Sequence, residues 1–297
     1  RSISELLEFG IINIDKPQGP TSHQVSAYTK QILGLKKAGH SGTLDPNVTW
    51  LLPTTLNKGT RVVHSLLSAG KEYVCLIHIH KSFSEQEIRD AMMSFVGKIK
   101  QLPPIKSAIK REWRYRKIYY LDIIEIQGQD VLFRVGTQAG TYIRKLCHDI
   151  GGKLGCGAHM AELRRTKVGP FNESTLTSLQ ELSDNLYFYN ENGDESGLRK
   201  NVLPVEFAVS HLPKAWIIDT AVNSLCHGAN LKVPGIAKIE SDIQIDEDVA
   251  IMSLKGELVA VGKLKMLPKE ILKKERGIAI KTDKVFMDPG VYPTIDH

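Results

Sequence analysis

The chain has 297 residues, 42% of them apolar, which is more than one core usually holds, so two domains are expected, one of them large. No apolar run approaches the roughly 20 residues of a membrane helix, and Arg1-Ser2-Ile3-Ser4-Glu5 does not begin a signal peptide, so a soluble intracellular protein without membrane contact is expected. Thirty-nine basic against 33 acidic side chains give +6, and the excess lies entirely in residues 1–210, with 27 basic against 21 acidic, while residues 211–297 hold 12 of each.

Residues 11–15 read as a short buried strand, followed by a turn at Lys16-Pro17-Gln18-Gly19-Pro20. Thr21 or Ser22 then caps a helix to about Leu33, with Val25, Tyr28, Thr29 and Ile32 along one side. Gly39-His40-Ser41-Gly42-Thr43-Leu44-Asp45-Pro46 builds an irregular loop around one carboxylate. By itself this loop is a surface turn. Residues 51–60 read as a connection and 61–67 as a short helix. A strand over 73–80 points Tyr73, Cys75, Ile77 and Ile79 one way and Val74, Leu76, His78 and His80 the other. Residues 85–96 form an amphipathic helix with Ile88, Met92 and Phe95 inward.

After Pro103-Pro104 the composition changes. Residues 98–117 carry eight Lys or Arg against the single acid Glu112, interleaved with Trp113 and Tyr115, a pattern suited to a phosphate backbone with bases to stack on and equally to a solvated loop. Strands over 119–127 and 130–136 join at Gly128-Gln129 as a hairpin. Ala139-Gly140-Thr141 leads into a helix bearing Tyr142, Arg144 and Lys145, and a basic segment at 158–165 ends at Gly169-Pro170. Residues 190–196 are polar and unpatterned, an exposed loop. Pro204 and Pro213 bracket a linker, and from Ala215 the segments are short and β-like, broken by glycines, as in a small β-barrel or sandwich.

Several chemistries find little support. Four cysteines form no Cys-x-x-Cys pair, and Cys147 shares helical periodicity with Ile143, Leu146, Ile150 and Leu154, so a buried thiol is the better reading than a metal ligand with His148, Cys156 and His159. His78 and His80 share a strand face, but no third ligand is evident nearby, and metal binding is disfavoured. Neither a Walker loop nor Gly-x-Gly-x-x-Gly occurs, which argues against nucleotide hydrolysis and dinucleotide redox chemistry.

Five motifs in order, Lys16-Pro17-x-Gly19-x-Thr21-Ser22-His23, Gly39 to Pro46, Lys71-Glu72-Tyr73, Gly140 to Arg144 and Leu163-Arg164-Arg165-Thr166, resemble the TruB-type pseudouridine synthases. Arg144 to Gly151 and Gly157-Ala158-His159-Met160 are similar to the dyskerin branch, the catalytic subunit of box H/ACA ribonucleoproteins. His227 to Leu231 and Pro234-Gly235-Ile236 resemble a PUA domain. The resemblance implies an α+β fold. A catalytic domain at 1–210 with a central mixed or antiparallel sheet would precede a small β-barrel PUA domain at 211–297, against which the N-terminal strand is a candidate to pack.

It also implies a reaction without metal or cofactor, in which the N1–C1′ bond of a uridine breaks and C5 joins C1′ on a base flipped from its stack. Asp45 matches the catalytic aspartate, either attacking C1′ or removing a ribose proton. Tyr73 matches the stacking aromatic, and Arg144 is the charged partner of Asp45. His40 resembles the residue that fills the vacated space, Leu163 the apolar wall of the uracil pocket, and Lys16 with Pro17 a buttress of the loop. The segment Ser107 to Lys117, with Lys110 and Arg111, falls at the thumb loop that closes over substrate RNA. Lys232 and Lys238 are the candidate RNA contacts of the PUA domain. Implied partners are an H/ACA guide RNA, substrate RNA, small accessory H/ACA ribonucleoproteins and a kink-turn-binding protein. The absence of a long Lys-rich tail suggests an archaeal-type, cytoplasmic protein over a nucleolar one. A stand-alone tRNA enzyme and a non-catalytic RNA-binding scaffold are the alternatives. Two departures stand out: Gln138, where a glutamate is common, and Trp50, where the family usually has glycine and an indole would crowd the loop.

Overall fold

The structure is a computed structural model that describes residues 1–103, 110 and 112–293. The chain opens with helix α1 (Ile3–Phe9), whose Ser2 and Glu5 form a reciprocal capping box. Strand β1 (Gly10–Lys16) and helix α2 (Ser22–Ile32) follow, the latter capped by Thr21 with Gln24 in the same way. Next come β2 (Ala38–His40), β3 (Thr49–Leu56), α3 (Val63–Ser68), β4 (Lys71–Ile79), α4 (Glu85–Met93) and β5 (Gly97–Gln101). The hairpin β6 (Arg114–Gln127) and β7 (Asp130–Thr137) turns on Gly128, at φ 62°. Then follow α5 (Ile143–Lys153), β8 (Ala158–Val168), β9 (Leu176–Thr177), α6 (Leu179–Asn192), α7 (Ser196–Asn201) and β10 (Val202–Pro204).

The chain forms two compact units. One holds Ile12–Thr54 and Ser65–Asn201; the other holds Arg1–Ile11, Thr55–His64 and Val202 onward. In the first, a mixed sheet runs in the order β1-β3-β8-β4-β7-β6-β5, with β2 on β3 and β9 on β1. The strand β8 pairs in parallel with β3 and antiparallel with β4, so it sits at the centre. One sheet face and helices α4 and α5 enclose a core of Cys75, Ile77, Ile79, Ile88, Met92, Phe133, Leu146 and Ile150. Cys147 is buried there, its Sγ 3.6 Å from that of Cys75.

In the second unit β11 (Lys214–Ile217), β12 (Leu231–Lys232), β13 (Ile236–Ile239), β14 (Asp248–Ser253), β15 (Leu258–Leu264) and β16 (Ile278–Val285) make a six-stranded sheet in the order β12-β16-β15-β14-β11-β13. Helix α8 (Asp219–Cys226) adds Val222 and Leu225 to its core, and α9 (Pro268–Ile271) adds Ile271.

Local expectations hold where periodicity is strong and fail where burial overrides it. The inward set of β4 and the buried positions Ile88 and Met92 of α4 are as read from the sequence. In α2 the buried stripe is Ser22, Val25, Ser26 and Thr29, and Tyr28 is exposed. Small hydroxylated residues can be buried there because Ser26 and Thr29 donate to carbonyls one turn back. The expected connection at 51–60 is largely strand β3, whose Leu51, Leu52 and Leu56 are fully buried. Pro53 is tolerated because only its carbonyl is used, accepting from the Ser41 N–H at 3.0 Å. The basic segment from 158 is a central strand, and residues 97–101 form β5 at the edge of the sheet. Residues 190–192 finish helix α6, which ends on Gly193 at φ 69°. The expected linker at 204–213 buries Val205, Ala208 and Val209 and is packed structure.

Candidate active site

The loop around Asp45 is held by buried cations whose hydrogen atoms are spent on backbone carbonyls. Lys16, at the end of β1 and wholly buried, donates to the carbonyls of Pro17 (3.0 Å), Pro46 (2.9 Å) and Val48 (2.8 Å). Burial, followed by the charge of Arg165, lowers its pKa, and Asp45 partly offsets both. The Pro46 carbonyl also accepts from Gly19, and the Leu44 N–H donates to Ser22 Oγ at 2.8 Å. The turn at 16–20 and the cap of α2 therefore fix the loop from below.

A second clamp is Arg165, on β8 and 1% exposed. Its Nε donates to the Leu51 carbonyl at 2.9 Å and its Nη2 reaches that of Gly42 at 3.4 Å. Tyr73 lies opposite it in the β4–β8 register and favours its charge, which burial otherwise disfavours. Lys71, two residues before Tyr73, donates to the carbonyls of Leu66, Leu67 and Ala69 and so closes the C-terminal end of α3. Three acceptors favour its charged form, but burial, then Arg165, prevails and brings its pKa to about 7.

Above this base, Arg144 in the first turn of α5 hydrogen-bonds to Asp45 Oδ2, and both side chains are about half exposed. The start of α5 is set by Gln101 of β5, which accepts from the Tyr142 N–H at 3.0 Å and donates to its carbonyl at 3.2 Å. His40 packs edge-on against His23, ring centres 4.7 Å apart, and its Nδ1 faces the Gly42 N–H. Burial, then the neighbouring His23 and Arg165, lowers its pKa to about 4. Leu163 packs on the core that contains Tyr73.

Thus Lys16, His40, Asp45, Tyr73, Arg144 and Leu163 belong to one unit, and short links through Arg165, the 42–51 backbone and the β4–β8 register join them. Lys110 is exposed and ion-paired with Glu112, with no contact to this loop among the described residues; Arg111 and 107–109 lie outside the described residues. Lys232 and Lys238 sit on β12 and β13, the two edge strands of their sheet, so the sheet order separates them; Lys238 Nζ lies 4.7 Å from the Trp216 ring centre.

Sequence reading missed Arg165, Lys71 and Gln101 as positioning groups. It also missed Glu72, which accepts from Tyr120 and, at 2.8 Å, from Thr166. Burial tends to raise the pKa of Glu72, yet the Tyr120 and Thr166 hydrogen bonds hold it below its ordinary value, and burial beside Glu72 pushes Tyr120 up to about 12. The available signal was two motifs, Lys71-Glu72-Tyr73 and Leu163 to Thr166, on strands whose pairing sequence could not specify.

Trp50 adopts φ 77°, the left-handed region that favours glycine, which accounts for the usual glycine there. Its indole turns to the Arg164 guanidinium, 5.1 Å from the ring centre. Gln138 exchanges backbone and side-chain hydrogen bonds with Lys117. The β5–β6 pair displays Lys98, Lys100, Trp113, Tyr115, Lys117 and Tyr119, all exposed. Lys98 Nζ is 4.2 Å from the Tyr115 ring centre and Lys100 Nζ 5.1 Å from that of Trp113.

Comparison with known proteins accounts for this layout. Residues 30–86 and 78–143 match the N-terminal domain of TruB family pseudouridylate synthases, and residues 144–210 match the C-terminal domain of tRNA pseudouridylate synthase B. A PUA domain matches 213–286 and a DKCLD domain 1–26. A probable tRNA pseudouridine synthase B of Nanoarchaeum equitans is 56% identical, covering 99% of this chain and 84% of its own. One from Pyrococcus furiosus is 55% identical, over 99% and 87%. Among solved structures, a Cbf5-Nop10-Gar1 complex superposes at TM-score 0.95 with 55% identity, over 99% of this chain and 89% of that one. An H/ACA RNP bound to a substrate RNA containing 2'-deoxyuridine does so at 0.92 with 53% identity, over 99% and 90%. The fold is that of a pseudouridine synthase catalytic domain with a PUA domain. The chain belongs to the TruB family of pseudouridylate synthases, in its dyskerin branch.

Proposed function

We propose that this protein isomerises uridine to pseudouridine in ribosomal RNA, with tRNA as a further substrate, inside a box H/ACA ribonucleoprotein whose guide RNA selects the uridine. The observation that carries the chemistry is the contact of Asp45 with Arg144 on a loop clamped by Lys16 and Arg165. Asp45 acts as the anion, either on C1′ or on a ribose proton, and Arg144 keeps it aimed, a role suited to a permanently charged planar group. Tyr73 stacks on the flipped base and assists the proton loss at C5. Leu163 walls the uracil, His40 fills the space it leaves as a neutral ring, and Lys16 fixes the loop. Lys110 and Arg111 close on substrate RNA. In this reading residues 1–210 carry catalysis and residues 211–297 bind RNA, Lys232 and Lys238 among their contacts.

Likeness over 99% of the chain to complexes that contain Nop10, Gar1 and H/ACA RNA supports guide dependence and small accessory ribonucleoproteins as partners. The archaeal relatives support work in the cytoplasm. The relatives' name, tRNA pseudouridine synthase B, favours one second reading, a stand-alone tRNA enzyme. The test is to supply a uridine-labelled target with and without an H/ACA guide and accessory proteins and to measure pseudouridine. Product only with the guide is expected. Full-rate product without a guide overturns guide dependence, and no product under any condition from folded protein overturns catalysis.

A further inference from the structure

Away from Asp45, the far end of β4 carries side chains for which the proposed reaction has no use. His78 and His80 share a strand face, and alone they are one ligand short of a metal site. Tertiary structure supplies the third. In the sheet register β8 sets His159 opposite His78, and on the other side β7 sets Asp130 opposite the same residue. The ring centres lie 5.2 Å apart for His80 and His159, 5.3 Å for His78 and His159 and 6.0 Å for His78 and His80. Three imidazoles on a tetrahedral zinc ion, with Zn–N of about 2.0–2.1 Å, have ring centres about 5 Å apart.

The nitrogen atoms fit the same reading. His80 Nε2 and His159 Nδ1 are 2.9 Å apart, two ring nitrogens that share one proton. Replacing that proton with a divalent ion requires them to open only to about 3.3 Å. His78 Nδ1 lies 2.7 Å from Asp130 Oδ1, which makes Nε2 the nitrogen available to a metal, the carboxylate–histidine–metal arrangement that fixes the ring. Gly157, just before β8, adds an independent constraint: its carbonyl accepts from the His80 backbone N–H at 2.9 Å, and a Cβ there would lie 2.4 Å from His80 Nδ1. A glycine is what lets the His80 ring lie against the β8 backbone. Among the described residues no three His, Cys, Asp or Glu donors already converge on one point; His80 and His159 are exposed, and their mutual hydrogen bond must open for both to take one ion.

We propose that His78, His80 and His159 bind one divalent transition-metal ion, zinc above all, with Asp130 as the positioning residue of His78. The ion pins β8 to β4 at the end of these strands opposite Lys71. The proposal does not rest on the reaction assigned above.

The experiment uses untagged full-length protein freed of metal by chelation, titrated calorimetrically with Zn2+ at pH 7.5, with Co2+ absorption as a second readout. One ion per chain and a tetrahedral Co2+ spectrum are expected. His159→Gln and His80→Gln should each weaken binding at least about tenfold, and Asp130→Asn by about tenfold. Circular dichroism verifies that each variant is folded. Cys156 lies next to Gly157, so Cys156→Ser is the control and should leave affinity within about twofold. Absence of stoichiometric binding by the wild type overturns the proposal. So does binding that survives His80→Gln with His159→Gln, or that is lost with Cys156→Ser alone.

Discussion

At the scale of single residues, the Asp45–Arg144 pair contributes little to folding, because both groups are about half exposed and such pairs are worth about 0–1 kcal/mol. In the proposed reaction its role is orientation. Asp45→Ala should abolish pseudouridine formation while guide-RNA affinity, measured by filter binding, stays within a few-fold; lost RNA binding would show that the role is wrongly assigned. His40 makes a prediction in pH. Its folded pKa of about 4 lies below the ordinary 6.5, so an unfolded chain binds a proton there that the folded one refuses. The stability tied to its neutral ring is complete above pH 6.5 and is lost as pH falls through about 4. A proton NMR titration should place the His40 midpoint near 4, and His40→Asn should flatten the urea midpoint between pH 6.5 and 4. Trp50 in the left-handed region carries strain that only glycine escapes. Trp50→Gly should therefore be more stable in urea than Trp50→Ala by about 1 kcal/mol, since both lose the stack on Arg164 and only alanine keeps the strain.

At the scale of elements, the loop around Asp45 owes its shape to side chains on the strands around it. Lys16 on β1, Arg165 on β8 and Lys71 on β4 donate between them to carbonyls of the loop, of β3 and of α3. A buried carbonyl left without its donor costs about 1–3 kcal/mol. Lys16→Met keeps most of the volume and removes three donations, so it should lower stability by at least about 2 kcal/mol and turnover with it, although Asp45 is untouched. Thermal denaturation and single-turnover kinetics measure the two effects. The Gln101 bracket on Tyr142 ties the first turn of α5, and hence Arg144, to β5 in the same manner.

For the whole molecule, charge is distributed by part. The C-terminal 87 residues are formally neutral, and the excess of six positive charges lies in the first 210. The β5–β6 ribbon concentrates it, with lysines seated on aromatic faces beside open ring edges, a surface suited to RNA. Each phosphate contact removed should make the slope of log affinity against log salt shallower by about 0.7–0.9. Replacing Lys98, Lys100 and Lys117 by Gln should thus flatten that slope by about 2–3 for substrate RNA, as nitrocellulose binding at several salt concentrations would measure.

The amino-acid sequence by itself determined what local chemistry can encode. The alternation in β4, the capped start of α2, the Gly128 hairpin and the buried thiol at Cys147 follow from periodicity and turn residues, and the five motifs point to Asp45, Tyr73 and Arg144 as the proposed reactive set. Tertiary structure alone decided what depends on which strands are neighbours. Strand β3 was hidden because Pro53 reads as a breaker until only its carbonyl is seen to be used. Arg165 looked like one more surface cation until β8 was placed between β3 and β4 and its guanidinium buried. His159 became the companion of His78 and His80 across 79 residues only through the β4–β8 register. The loop at 39–46 is named in the sequence, but its carbonyls are held by donors from two strands, Lys16 on β1 and Arg165 on β8, and pairing between strands distant in the chain is a long-range choice that local pattern does not carry.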